Sequence, residues 1–254
     1  MTAPAVLRGV RAAFVFLTRI PVGGFPYRSE DWAWAAAHAP FVGLVLGGGL
    51  GLLDLGLSPL GALPAAFLVL GAQLLLTGAF HEDGLADTCD ALGGASDAPR
   101  VHAILKDSRI GSFGGAALVF SIGGRAALIA QLGSGAPWAL PIVGAAARAA
   151  PIWLMAVLPY VTADADAKSR HLLRGGVAQA AVATGWLALV LVAAVGTGHL
   201  PAARAVAMTC GLLVVASITG WRYARRVGGI TGDFLGATEQ LSEVVCLAVL
   251  AWTA

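Results

Sequence analysis

Val177 to Gly196 reads VAQAAVATGWLALVLVAAVG, twenty residues without a charge. At 1.5 Å per residue a helix of that length is about 30 Å long, the thickness of a bilayer's hydrocarbon core. A span is therefore expected here, and similar apolar runs lie near 38–57, 62–80, 112–132, 137–160, 202–221 and 237–254. Composition agrees: 58% of the 254 residues are hydrophobic and 12% charged, against roughly 25% charged in a soluble domain. The fold class is all-α, a polytopic membrane bundle of about seven transmembrane helices forming a single membrane-embedded domain over residues 1–254.

Residues 6–20 form a shorter stretch carrying Arg8, Arg11 and Arg19, which suits an amphipathic interfacial or re-entrant helix. It lacks the small-residue cleavage pattern of a signal peptide and is expected to stay in the mature protein. The connections near 58–61, 133–136 and 197–201 are short and hold no Lys or Arg. Segments 21–37, 81–111, 161–176 and 222–236 hold Arg28, Arg100, Lys106, Arg109, Lys168, Arg170, Arg174, Arg222, Arg225 and Arg226. The positive-inside rule places these four in the cytoplasm, with the N-terminus inside and the C-terminus outside. A net charge of +2 adds little, and no nucleic-acid partner is expected.

Glycine is abundant, 34 residues, with small-xxx-small spacing at Gly43, Gly47 and Gly51. Such faces let membrane helices approach closely and permit a homo-oligomer without requiring one. Cys89, Cys210 and Cys246 show no zinc or disulfide spacing and read as small apolar fillers.

Chemistry concentrates in three places that share the basic side. His81-Glu82-Asp83-Gly84-Leu85-Ala86-Asp87-Thr88-Cys89-Asp90 crowds four carboxylates together. On a helix Asp83, Asp87 and Asp90 fall at i, i+4 and i+7 on one face, and an all-oxygen cluster suits a hard divalent cation. The bland alternative is a solvated acidic loop. Ile104-Leu105-Lys106-Asp107-Ser108-Arg109-Ile110-Gly111-Ser112 follows, with cations and backbone N–H groups available to a phosphate where a helix begins, or an ordinary turn. Gly228-Gly229-Ile230-Thr231-Gly232-Asp233 then leads to Glu239 and Glu243, one turn apart. Favourable placement at a helix N-terminus accounts for one of these acids better than for both. Arg125 and Arg148 lie inside apolar runs, where the default reading is an internal site for an anionic substrate and the alternative is a structural ion pair. Together these residues suit phosphoryl transfer, which asks a protein for metal clamping, positioning and charge neutralisation.

The three constellations in order, with Phe16-Leu17-Thr18-Arg19-Ile20-Pro21 near the start, closely resemble the cobalamin synthase family of adenosylcobinamide-GDP ribazoletransferases, over nearly the whole chain. The resemblance implies a multi-pass enzyme of the bacterial inner membrane with its site facing the cytoplasm. Its substrates would be adenosylcobinamide-GDP and α-ribazole or α-ribazole 5′-phosphate, its products adenosylcobalamin or its phosphate and GMP, and its cofactor Mg²⁺. Mapped here, Asp83, Asp87 and Asp90 hold the metal, with Glu82 at most an outer member. Lys106 and Arg109 neutralise the diphosphate, and Asp107 orients one of them. Asp233, Glu239 and Glu243 complete a second metal site or supply a base. His81 is a base, a donor to phosphate or a satisfied helix-end histidine. Ser108, Gly111, Arg125, Arg148 and Thr231 contact substrate. Two readings compete. A CDP-alcohol phosphotransferase shares the Asp-Gly-xx-Asp core, but its further Ala-Arg pair and later acids are not found after Asp83. A cation or anion transporter would use the acids and intramembrane arginines as a pathway, against which the acids gather at one face and paired broken spans do not recur.

Overall fold

The structure is a computed structural model describing residues 4–23, 27–161 and 176–252. Within these it is helical, and the one β-type feature is an isolated parallel bridge between Tyr160 and Ile230. Lys168, Arg170 and Arg174 lie outside the described residues.

Helix α1 (Ala5–Leu17) has 13 residues, about 20 Å and too short to span. It packs on α2 (Ser29–Ala35), and Arg8 Nε donates to Asp31 Oδ1 at 2.8 Å. The His38 ring takes the indole N–H of Trp186 on Nδ1 and meets the Val6 carbonyl through Nε2, so the N-terminal segment is tied to the bundle.

The spanning part begins with α3 (Ala39–Leu57) and α4 (Ala62–Thr77). The glycine face of α3 is used inside the chain, against α8 (Ala136–Ala147). A Cβ on Gly43 would stand 1.9 Å from the Gly144 carbonyl oxygen, on Gly47 2.3 Å from that of Leu140, and on Gly51 2.4 Å from that of Pro137. Rising numbers on α3 meet falling numbers on α8, so the two are antiparallel. This face, expected to let membrane helices approach closely, is used for packing inside the chain.

After α4 the chain breaks at Gly78 and Ala79, both left-handed (φ 71° and 57°). Helix α5 (Phe80–Gly94) leaves at 91° to α4 and crosses the end of the bundle instead of prolonging a span. Short α6 (Ala98–Ile104) is capped by Asp97, whose carboxylate accepts from Arg100 N at 2.9 Å. Then come α7 (Ser112–Leu132), α8, α9 (Ala149–Val157), α10 (Val177–Gly196), α11 (Ala202–Val227) and α12 (Gly232–Ala251).

Five helical stretches are long and apolar enough to cross a membrane, or up to six with the bent pair. One of them, Ser112–Val157, has 46 residues, about 69 Å if straight and twice the hydrocarbon thickness. It folds back instead. Ser121, Arg125 and Gln131 of α7 bond Gln240, Glu243 and Ala251 of α12 in parallel order. Arg148 meets Glu239 while Leu140 lies by Glu243, the opposite order. The reversal falls at Gly133 (φ 52°), and splitting the stretch there recovers two of the expected apolar runs. Among the described residues, the basic connections 81–111 and 222–236 then gather at the α5 end, and turns 58–61, 133–135 and 197–201 at the other.

Candidate active site

Asp83, Asp87 and Asp90 are carried on α5 as the spacing predicts. What brings a fourth acid to them is glycine. A Cβ on Gly84 would lie 2.8 Å from the Asp233 carbonyl oxygen, and one on Gly236 3.3 Å from His81 Cα. Backbone-to-backbone contact of α5 with α12 therefore sets Asp233 beside Asp83 and Asp87. Asp83 is exposed and the other two are half-buried. Burial, then repulsion from Asp83, Asp233 and Asp90, pushes the Asp87 carboxyl up to about 6. Among the described residues no cluster of three or more His, Cys, Asp or Glu is drawn into metal-ligating geometry. The donor set fits Mg²⁺: it is all oxygen, and no ion pair neutralises Asp83, Asp87 or Asp233 among the described residues.

Asp90 is turned elsewhere. Its two oxygens accept the N–H groups of Gly111 at 2.7 Å and Gly114 at 2.8 Å, capping α7 at its positive end. The Gly111 N–H expected to meet a phosphate thus already holds a carboxylate, and the same bonds anchor the 105–111 loop to α5. On that loop Arg109 pairs with Asp107 at 2.6 Å. These bonds hold the Asp107 carboxyl down to about 2. Lys106, Ser108 and Arg109 are all exposed. Thr231, expected at the substrate, is the N-cap of α12 and accepts from Phe234 N at 3.3 Å.

The remaining predicted residues meet inside the bundle, away from the acids. Arg125, 1% exposed, binds Glu82 at 3.0 Å and Glu243 at 3.1 Å. Gln73 donates to Glu243, and Gln240 to both Glu82 and Glu239. Arg148 lies 3.2 Å from Glu239 Oε1, and His81 Nδ1 3.8 Å from Glu239 Oε2. Glu239 and Glu243 are thereby guanidinium partners rather than a second metal set, and Arg125 answers carboxylates of its own chain rather than an anionic substrate. His81 is buried in this network, not displayed beside the exposed acids. Arg148 Nη1 also donates to the Gly144 carbonyl at 2.9 Å, which leaves Glu239 Oε1 without an aligned hydrogen bond; Arg148 Nε has none either.

The sequence model for cobalamin-5-phosphate synthase matches residues 9–251. The chain belongs to that family. It is 38% identical to an adenosylcobinamide-GDP ribazoletransferase of Leptothrix cholodnii, covering 98% of this chain and 97% of the relative. Identity is 36% with the enzyme of that name from Polaromonas sp. (94% of each chain). It is 37% with that from Sinorhizobium medicae (95% of each). No solved structure matches.

In this cobalamin synthase family member, sequence reasoning missed Gln73, Gln240 and Ser121 as members of the buried network and underrated Glu82, the Arg125 partner. Gln73 and Glu243 are 170 residues apart, so only polar residues inside apolar runs gave any signal. Arg222 and Arg226, read as orientation signals, also reach the Leu92 carbonyl, and Arg226 that of Ala95, tying down the C-terminal end of α5.

Proposed function

We propose that this chain is an adenosylcobinamide-GDP ribazoletransferase of the bacterial inner membrane, working on its cytoplasmic face. The observation that supports this reading most is the gathering of Asp83, Asp87 and Asp233, without an ion pair among the described residues, at the basic end of the bundle, beside a loop carrying Lys106 and Arg109. The reaction joins the phosphorus on the cobinamide side of adenosylcobinamide-GDP to the 3′-hydroxyl of α-ribazole or its 5′-phosphate, with GMP as leaving group. Mg²⁺, when held by Asp83, Asp87 and Asp233, supplies Lewis-acid stabilisation of the diphosphate oxygens.

The chain's own groups do the rest. A carboxylate of the cluster takes the proton of the attacking hydroxyl. Lys106 and Arg109 meet the charge growing on the leaving GMP, and Asp107 holds Arg109 extended for that contact. Asp90, by capping α7, keeps the basic loop against the acidic helix. The buried arginines position the acids: Arg125 ties α5 to α12 through Glu82 and Glu243.

The test is GMP release by the purified protein in detergent, given adenosylcobinamide-GDP and α-ribazole. The expected result is GMP in step with a cobalamin product, abolished by chelation and restored by Mg²⁺. A cytidine nucleotide product from a CDP-alcohol, or no turnover in a folded protein, would overturn the reading.

A further inference from the structure

A slot opens between the N-terminal segment, α5, α9 and α12, and the mechanism above does not use it. Its cavity volume is about 60 Å³, and it is open to the outside. One wall is flat, made by Ala35, Ala36 and Ala39; Phe16 and Phe80, edge to face at 5.4 Å, and Met155 form others. Along α12 it extends from Gly232, next to Asp233, to Glu239. Seven residues of helix are about 10 Å, the reach of a base plus its ribose. At the inner end stands Arg148, 4% exposed, with Nε lacking an acceptor. A buried donor without a partner is costly, and Arg148 stands with His81 and Glu239 at the polar end of a slot whose other walls are apolar, where a ligand acceptor can meet its Nε–H.

We propose that the slot receives the base of the acceptor nucleoside, a flat, apolar, bicyclic heteroaromatic whose ring nitrogen accepts the Arg148 Nε–H. An acyl chain would fill the walls but leave that donor unmet. With the base at the Glu239 end, the attached ribose lies at the Gly232 end, beside the carboxylates that activate its hydroxyl. The identity of the acceptor rests on the ribazoletransferase reading; the slot and its donor do not. Phe16 and Leu17 of the early Phe-Leu-Thr-Arg-Ile-Pro motif thereby become specificity residues.

The experiment uses the full chain in detergent and the free base of α-ribazole, 5,6-dimethylbenzimidazole, radiolabelled, in equilibrium dialysis without donor substrate. Wild type should bind it saturably. Ala39→Leu, which thickens the flat wall, should weaken binding about tenfold or more and raise the KM for α-ribazole by a similar factor, with the KM for adenosylcobinamide-GDP unchanged. The free base should inhibit turnover competitively against α-ribazole and not against the donor. Met155→Ala should admit bases with larger alkyl groups that wild type rejects, which keeps the test alive if Ala39→Leu does not fold. No saturable binding by wild type, or base binding and acceptor KM indifferent to both substitutions, would overturn the proposal. Saturable binding by a wild-type protein that releases no GMP would uphold the slot and sink the ribazoletransferase reading.

Discussion

Gly84→Ala is the sharpest probe of how this site is assembled. The added Cβ would stand 2.8 Å from the Asp233 carbonyl oxygen, 3.1 Å from its Cα and 3.3 Å from its carbonyl carbon. All three are backbone, so no side chain can swing aside; α5 and α12 must part by about 0.6 Å to reach ordinary contact near 3.4 Å. Overpacking of this kind costs about 1–3 kcal/mol, and replacing a mid-helix glycine by alanine returns about 1 kcal/mol. The net loss of stability is then about 0–2 kcal/mol, and the protein should fold. Turnover should suffer more, because a 1 Å misplacement of reacting groups costs on the order of 10²-fold; a shift of about 0.6 Å predicts a fall of about tenfold. The assay is GMP release at saturating substrate, with thermal unfolding in detergent alongside. Wild-type turnover in folded Gly84→Ala protein would refute the claim that the approach of α5 to α12 sets the carboxylate geometry.

Four further outcomes are expected. Asp83→Asn removes only charge from an exposed residue and should leave folding intact while abolishing turnover; normal turnover would sink the assignment of the acids. Arg125→Met strands two buried carboxylates and should cost about 3–5 kcal/mol, whereas the triple variant with Glu82→Gln and Glu243→Gln should recover much of that on thermal unfolding. Asp87 titrates near 6 in the fold against a usual 3.8, so the fold prefers its protonated form. Its contribution to stability is then greatest below 3.8 and declines as pH rises through about 6. Mg²⁺ should reverse that decline by neutralising the ionised carboxylates, and a metal-induced rise in melting temperature no larger at pH 7 than at pH 5, where it must compete with the proton, would contradict it. Arg109→Ala, on an exposed loop, should leave the melting temperature unchanged and lower turnover by about tenfold or more, measured again as GMP release.

The helix that carries the acids was legible because its signal is local. The i, i+4, i+7 spacing of Asp83, Asp87 and Asp90 is a property of one helix, and the helix is there. The partners that the sequence did not show share one feature: they are distant along the chain. Glu239 and Glu243 look like a metal pair until Arg148 and Arg125 arrive from other helices. Gly111 looks like a phosphate donor until Asp90, 21 residues earlier, takes its N–H. Thr231 is the milder case, since a threonine opening a helix is a usual N-cap and needed no distant partner to be read as one.

The sequence alone determined the membrane bundle, the end at which its charges gather and the family, since hydropathy, charge bias and motif order are properties of the chain itself. Tertiary structure decided which charges stay available to a ligand. A buried arginine must find carboxylates wherever the folded bundle supplies them, and a glycine makes room only once a particular backbone lies against it. Those two conditions separate Asp83, Asp87 and Asp233, without an ion pair among the described residues, from Glu82, Glu239 and Glu243, held inside.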